Sequence, residues 1–192
     1  MGRIVVSDNI TVDGVVQDPT GEEGFEHGGW FTQVSGNDRE AFGKAALDEA
    51  LAADAFLLGR RTYQFLASRW PSRTGALADR LNSFPKYVVS STLDNPKWNN
   101  TRVLKGDPAA EVSRLKQQLK GEIVVPGSFK LVQTLIEHDL VDEMRVMVYP
   151  FVLGAGDRLF SGPIAKVPLH LVDNRTIGDG LAYITYWVVR AA

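Results

Sequence analysis

The stretch Ala55-Phe56-Leu57-Leu58-Gly59-Arg60-Arg61-Thr62-Tyr63 constrains the fold more than any other part of the chain. An apolar run too short for a buried helix stops at a glycine, and two arginines and a threonine open the next segment. That order reads as a buried strand, a tight turn and a helix N-terminus. Such a terminus offers unpaired backbone N–H groups and the positive end of a helix dipole, which suit an anion. The arginines add bidentate phosphate geometry and Thr62 adds a hydroxyl. The alternative is a plain strand-to-helix turn with solvated arginines.

The same unit recurs. Lys86–Val89 reads as a strand ending in Ser90-Ser91-Thr92, and Ile123-Val124-Val125 as one that turns at Pro126-Gly127-Ser128 into a helix with Leu131, Val132, Leu135 and Ile136 on its core stripe. Ile4-Val5-Val6 is a first strand. Residues 17–36 form a long glycine-rich, acidic loop, the kind that is functional or mobile. Asn37 or Asp38 caps a helix carrying Phe42, Ala46, Ala50 and Ala53. A helix runs from about Arg60 to Arg69, another surrounds Ala76–Leu81, and Val112, Leu115 and Leu119 mark an amphipathic one. Asp94–Asp107 reads as a polar, proline-containing loop. The last third alternates differently: Met144, Val146 and Val148, then Leu169–Asp173 and Ala182–Val189 around the Gly178-Asp179-Gly180 turn, read as antiparallel strands. An α/β chain that ends in a β-meander follows, and 192 residues without a linker-like break predict one domain.

Composition narrows function by exclusion. With no cysteine, disulfides, thiolate zinc sites, cysteine nucleophiles and iron–sulfur clusters are ruled out. A net charge of −2 favours neither nucleic acid nor an anionic membrane surface. No apolar run reaches membrane-span length, and Met1–Ser7 meets polar Asp8 and Asn9 too soon for a secretion leader, so a reducing cytoplasm is expected. The dinucleotide fingerprint G-x-G-x-x-G is absent after the first strand, since Gly154-Ala155-Gly156 has Leu159 in the third glycine position. A triphosphatase loop fails because Ala45 follows Gly43-Lys44, and there is no G-x-S-x-G elbow. The histidines, His27, His138 and His170, lack metal-ligand spacing, and no metal is expected. What remains is three strand-end turns, Gly59–Thr62, Ser90–Thr92 and Gly127–Lys130. In an open α/β sheet, ligands bind beyond the C-terminal ends of parallel strands, so these turns converge on a dinucleotide site.

These residues resemble the dihydrofolate-reductase-like proteins, in the branch related to the C-terminal reductase domain of the riboflavin-biosynthesis deaminase/reductase. The likeness rests on Thr11-Val12-Asp13-Gly14-Val15, on Leu57–Tyr63, and on Pro126-Gly127-Ser128 followed by Leu131-Val132. It rests most specifically on Leu140-Val141-Asp142-Glu143 leading to Pro150-Phe151-Val152-Leu153-Gly154-Ala155-Gly156, and it spans nearly the whole chain.

The resemblance implies a three-layer α/β fold, a mainly parallel central sheet with antiparallel C-terminal strands, and NADPH as cofactor. By position, Gly59, Arg60, Arg61 and Thr62 would hold its phosphates, and Ser90 and Ser91 would contact the 2′-phosphate region. Gly127, Ser128, Phe129 and Lys130 would line the helix N-terminus under the diphosphate. Asp13 and Gly14 would lie near the nicotinamide, with Leu153 and Gly154 bordering the same pocket. The implied reaction is reduction of a small planar heterocycle, a 5-amino-6-(5-phosphoribosylamino)uracil-like pyrimidine or a pterin; a non-catalytic dinucleotide-binding protein is the alternative. Asp13 and Asp38 are candidate catalytic proton-relay groups and also good turn or cap residues. Trp30 and Phe31 can stack on the substrate or anchor the long loop. A phosphate-bearing substrate would want Arg69, Arg73 or Arg158. The family also implies a homodimer, and the Ala182–Val189 strand, with Trp187 on its second face, suits a dimer edge or an internal strand. The chain departs from the bifunctional enzyme in having no zinc deaminase domain. It departs from dihydrofolate reductases in having Gly127-Ser128 for two glycines, and in placing its first carboxylate after Trp30 at Asp38.

Overall fold

The structure is a computed structural model and describes residues 1–162 and 164–190. In chain order the elements are β1 (Arg3–Thr11), α1 (Gly36–Ala52), β2 (Ala53–Gly59), α2 (Arg60–Ala67), α3 (Ala76–Ser83), β3 (Lys86–Val89) and β4 (Thr101–Leu104). They continue with α4 (Pro108–Gln118), β5 (Glu122–Pro126), α5 (Phe129–Glu137), β6 (Glu143–Tyr149), β7 (Leu169–Ile177) and β8 (Leu181–Val188). The strands form a single sheet in the order β4-β3-β2-β5-β1-β6-β8-β7. Every pairing from β4 to β6 is parallel, and β8 and β7 are added antiparallel. This is the dihydrofolate-reductase-like arrangement expected from the sequence.

Apolar runs without alternation become the central strands because both faces are covered. On one face Ile4, Val6, Leu57, Ile123 and Val125 pack against Val112 and Leu115 of α4 and Leu131, Val132 and Leu135 of α5. On the other, Val5, Phe56, Leu58, Val88 and Val124 meet Ala50 of α1, Tyr63 of α2 and Leu81 of α3. A third cluster, Trp30, Met147, Tyr149 and Leu181, lies beneath the long loop. Each fully buried Val, Ile or Leu contributes about 1.5–3 kcal/mol of transfer free energy, so the layers are held by these side chains.

Unequal strand lengths create the site. The β1–β5 pairing ends at Ser7↔Pro126, yet β1 runs on to Thr11. On the other side β2 pairs with β5 as far as Phe56↔Val124 and runs on to Gly59. Pro126 has no N–H to continue the ladder, and Gly127, at φ 59°, turns the chain away. A slot therefore opens in the sheet between the ends of β1 and β2.

The first strand is longer than Ile4–Val6, and β4 lies inside the stretch expected to be loop. Thr101–Leu104 is a short, partly exposed edge strand, and its parallel register with Lys86–Val89 is what gives it regular structure. The helix expected to reach Arg69 closes at Ala67. The last strand is internal, between β6 and β7, and the uncovered edge is β7.

Candidate active site

Past the end of β5 lies a cavity of about 710 Å³, within the size range of small-molecule and cofactor sites. One end is polar and is built by two helix starts. Gly59 N–H donates to Ser128 Oγ at 3.0 Å, Ser128 Oγ–H to Pro126 O at 3.1 Å, and Thr62 Oγ1–H to Gly127 O at 3.4 Å. These bonds hold the α2 and α5 N-termini side by side. Neither first turn is capped by a side chain, so the dipoles and the first-turn N–H groups, apart from that of Phe129, which donates to Gly127 O at 3.0 Å, suit an anion. Gly59, Arg60, Arg61, Thr62, Gly127, Ser128, Phe129 and Lys130 all line the cavity. Ser90 and Ser91 do not. The Ser90 hydroxyl accepts from the N–H groups of Thr92 (3.3 Å) and Leu93 (3.0 Å), shaping a turn whose Thr92 hydroxyl receives the Arg60 guanidinium.

The other end is apolar, with Phe31, Phe42, Ala45, Ala46, Phe56, Leu66 and Met147. At its mouth Arg69 stacks on Phe65 at 3.8 Å and Arg73 on Trp70 at 4.7 Å. Both arginines line the cavity. Arg158 does not: its Nε–H donates to Asp13 O at 2.9 Å. The acidic loop is fastened across the cavity by two ion pairs, Glu23 with Arg61 (2.5 Å) and Glu22 with Arg69. Within the loop buried Asp18 accepts from Glu22 N (2.8 Å) and Phe25 N (3.1 Å).

Three residues expected at the chemistry do other work. Asp13 Oδ1 accepts from the Thr11 hydroxyl (2.6 Å) and Leu153 N (3.2 Å), and its Oδ2 from Gly154 N (2.8 Å). The Thr11 hydroxyl above all, helped by the two N–H groups, holds this carboxyl down at about 2. Asp13 and Gly14 are brought together with Leu153 and Gly154, as expected, but all four lie outside the cavity lining. Asp38 completes a capping box with Ser35 and accepts from the N–H groups of Asp179 (2.7 Å) and Gly180 (3.0 Å). Burial would raise its pKa, but these donors outweigh it and the carboxyl is lowered. The proton-relay roles expected of Asp13 and Asp38 are thus corrected to anchoring roles, because backbone donors and the Thr11 hydroxyl engage their oxygens. Trp30 is an anchor too: it is buried, edge-on to Tyr149 at 5.2 Å, with Nε1–H donating to Gln17 O at 3.1 Å. Phe31 alone of that pair lines the cavity.

Among the carboxyls that line the cavity, two that the sequence does not single out, Glu49 and Asp8, have their pKa raised by burial. Glu49 Oε2 accepts from the Ser7 hydroxyl at 2.8 Å and Oε1 from Arg145 at 3.3 Å, and burial pushes its pKa up. Asp8 is buried in mid-strand; its Oδ1 accepts from Asn9 N at 3.1 Å while Oδ2 has no partner. Burial, only partly offset by the Asn9 N–H, raises Asp8 to about 7. The signal that could have found it is parity: Asp8 shares a strand face with Ile4, Val6 and Ile10. Among the described residues no group of three His, Cys, Asp or Glu side chains is arranged to hold a metal, and no helix is long and apolar enough to cross a membrane.

The RibD C-terminal domain family matches residues 3–183. The uncharacterized protein YyaP of Bacillus subtilis (strain 168) is 30% identical over 138 residues, 69% of this chain and 73% of that protein. A candidate riboflavin biosynthesis protein from Shewanella sp. PV-4 superposes with a TM-score of 0.76 at 21% identity, over 98% of this chain and 99% of that one. The deaminase/5-amino-6-(5-phosphoribosylamino)uracil reductase of Thermotoga maritima gives 0.63 at 15% identity, over 98% of this chain and 57% of that one. Dihydrofolate reductase from Enterococcus faecalis, solved in complex with NADP(H), gives 0.61 at 15% identity over 97% and 96%.

Proposed function

The chain belongs to the RibD C-terminal domain family, and on that premise we propose that it is an NADPH-dependent reductase of a small planar nitrogen heterocycle, of the phosphoribosylaminopyrimidine kind. The observation that carries this reading is a cavity with a cationic end built by two helix starts and an apolar end, the two joined at the slot. When bound, NADPH would supply the hydride, which is the hard part of the chemistry.

The chain's own residues bind and orient. The uncapped N–H groups of α2 and α5 suit the diphosphate, and Arg60 and Lys130 supply the charge that favours a 2′-phosphate. Phe31, Phe42 and Phe56 exclude water from the acceptor ring and confine it beside the slot, which is how positioning lowers a barrier. Arg69 and Arg73 line the mouth and suit the phosphate of the acceptor, Arg69 by exchanging its Glu22 partner for it, whereas Arg158 lies outside the cavity lining.

Calorimetric titration with NADPH, NADH and FMN, followed by absorbance assays with a phosphoribosylaminopyrimidine, a pterin and a carbonyl acceptor, tests this. NADPH is expected to bind at least about tenfold more tightly than NADH, and the pyrimidine to consume it. Binding of FMN alone would overturn the reductase reading. Tight NADPH binding without turnover of any acceptor would leave a dinucleotide-binding protein.

A further inference from the structure

Asp8 is the first residue of β1 beyond its last pair with β5, Ser7↔Pro126, so it stands at the inner end of the slot. The two faces of β1 have different neighbours. Ser7 turns to Glu49 of α1. Ile4, Val6 and Ile10, and with them Asp8, face the other way, into the cluster that holds Leu131 and Phe129 of α5 and Val16. The cross-strand neighbour of Asp8, Val146, belongs to that same cluster. Asp8 thus enters the cavity from the side of Gly127–Lys130, while Ser7, Glu49, Phe42 and Met147 line the opposite side. Its Oδ2 is buried without a partner although the residue lines the cavity. A buried polar atom left unpaired is costly and calls for a ligand group to complete it.

We propose that Asp8 holds the carboxamide of the cofactor's nicotinamide ring, fixing the ring in the slot. The inference rests on the cofactor reading above. A neutral carboxyl presents an O–H donor and a C=O acceptor side by side, the complement of a primary amide's C=O and NH₂. Burial keeps Asp8 largely in that form up to about pH 7. The residues around it on its own face, Val146, Leu131, Val16 and Ile10, are apolar. The charged groups lining the same cavity nearby are Lys130 of α5 and the loop residues Asp18 and Asp157, and across the sheet Glu49, which Ser7 and Arg145 engage. An acceptor ring confined among Phe31, Phe42 and Met147 lies on the other side of β1, so the nicotinamide is the ring that Asp8 faces.

Titration calorimetry with NADP⁺ and with 2′-phospho-ADP-ribose, which lacks the nicotinamide, tests the assignment. Asp8→Leu is expected to weaken NADP⁺ about tenfold or more and to leave 2′-phospho-ADP-ribose within about twofold. Asp8→Asn, which keeps a donor and an acceptor, is expected to bind NADP⁺ within about threefold of the unsubstituted protein. On the unsubstituted protein, the 3-acetylpyridine analogue of NADP⁺, which lacks the NH₂, is expected to bind several-fold more weakly, so the test survives a leucine variant that fails to fold. The affinity ratio of NADPH, whose dihydronicotinamide ring is uncharged, to 2′-phospho-ADP-ribose is expected to fall as pH rises through about 7 and to stay flat in Asp8→Asn. Unchanged NADP⁺ binding in Asp8→Leu, equal loss of both ligands, or an asparagine variant as weak as leucine would overturn the inference. An unsubstituted protein that binds neither ligand would refute the cofactor reading itself, which is a different result.

Discussion

Gly59 separates what the fold requires from what the cofactor requires. Its backbone is extended, at φ −75° and ψ 158°, a conformation open to alanine. A Cβ built there would meet Ser128 Cβ and Oγ at 3.7 Å and Leu131 Cβ at 3.9 Å, ordinary van der Waals contact. Two effects then decide the stability of Gly59→Ala. Restricting the unfolded chain stabilises by about 0.4–1 kcal/mol. Gly59 is also the N-cap of α2, where alanine is poorer than glycine by about 0.5–1 kcal/mol. The terms nearly cancel, and at about 2–4 °C per kcal/mol for a chain of this size the melting temperature should move by less than about 2 °C. Cofactor binding should not escape so lightly, because the added methyl projects toward Ser128 between the two helix starts that would hold the diphosphate. NADPH affinity is expected to fall about tenfold or more. Scanning calorimetry of the free protein and titration calorimetry with NADPH read the two effects separately. A melting temperature lowered by more than about 5 °C would show that the fold itself demands glycine. An unchanged affinity would show that no phosphate lies against Gly59, and the proposed cofactor placement would fall.

Asp142 accepts from Ile4 N (2.7 Å), from Lys116 Nζ (2.6 Å) and from Arg190 (2.8 Å), tying β1, α4 and the C-terminal segment together. Asp142→Ala leaves the buried Lys116 ammonium with only Leu140 O, and should cost about 3 kcal/mol in urea unfolding, at the lower end for a broken buried pair. Adding Lys116→Met should restore at least half of that; a single-variant loss below about 1 kcal/mol would show the pair to be marginal. Asp8 supplies a pH signature of opposite origin. Its folded pKa is raised to about 7 from 3.8, so between those values the folded state binds more protons than the unfolded one and stability falls as pH rises. Asp8→Asn should therefore gain on the unsubstituted protein from about pH 4 to pH 7 and level off above, by a few kcal/mol in all. A difference that stays constant across that window, in parallel unfolding curves, would refute the raised pKa.

What could be read from the sequence and what could not divide along one physical line, the distance in sequence between the residues that act together. The parallel strands show themselves because burial on both faces writes unbroken apolar runs, Ala55–Leu58 and Ile123–Val125. The phosphate-binding chemistry proposed for the cofactor end is equally local, since a strand end, its turn and the first residues of a helix are neighbours in sequence. Thr101–Leu104 has no such run, because an edge strand half open to solvent needs few apolar side chains, and only pairing with β3 gives it form. Carboxylates are the harder case. Asp13 beside Gly14 reads the same whether it moves a proton or holds the chain. The difference is made by Leu153 and Gly154, 140 and 141 residues away. Asp38 is settled likewise by Asp179 and Gly180. Asp8 was hidden by the same distance, for β1 lies between β5 and β6 and its slot exists only because β5 stops at Pro126. A polar residue after Val6 looks like the end of a strand. With β6 alongside it as far as Thr11, it becomes a buried acid inside one. The residues proposed for the cofactor's phosphates thus fall in two short contiguous runs, Gly59–Thr62 and Gly127–Lys130, each legible by itself. The cavity beyond them is assembled by topology from β1, α1, β6 and β8, which is why the side that would recognise the acceptor ring shows only once the strands are in order.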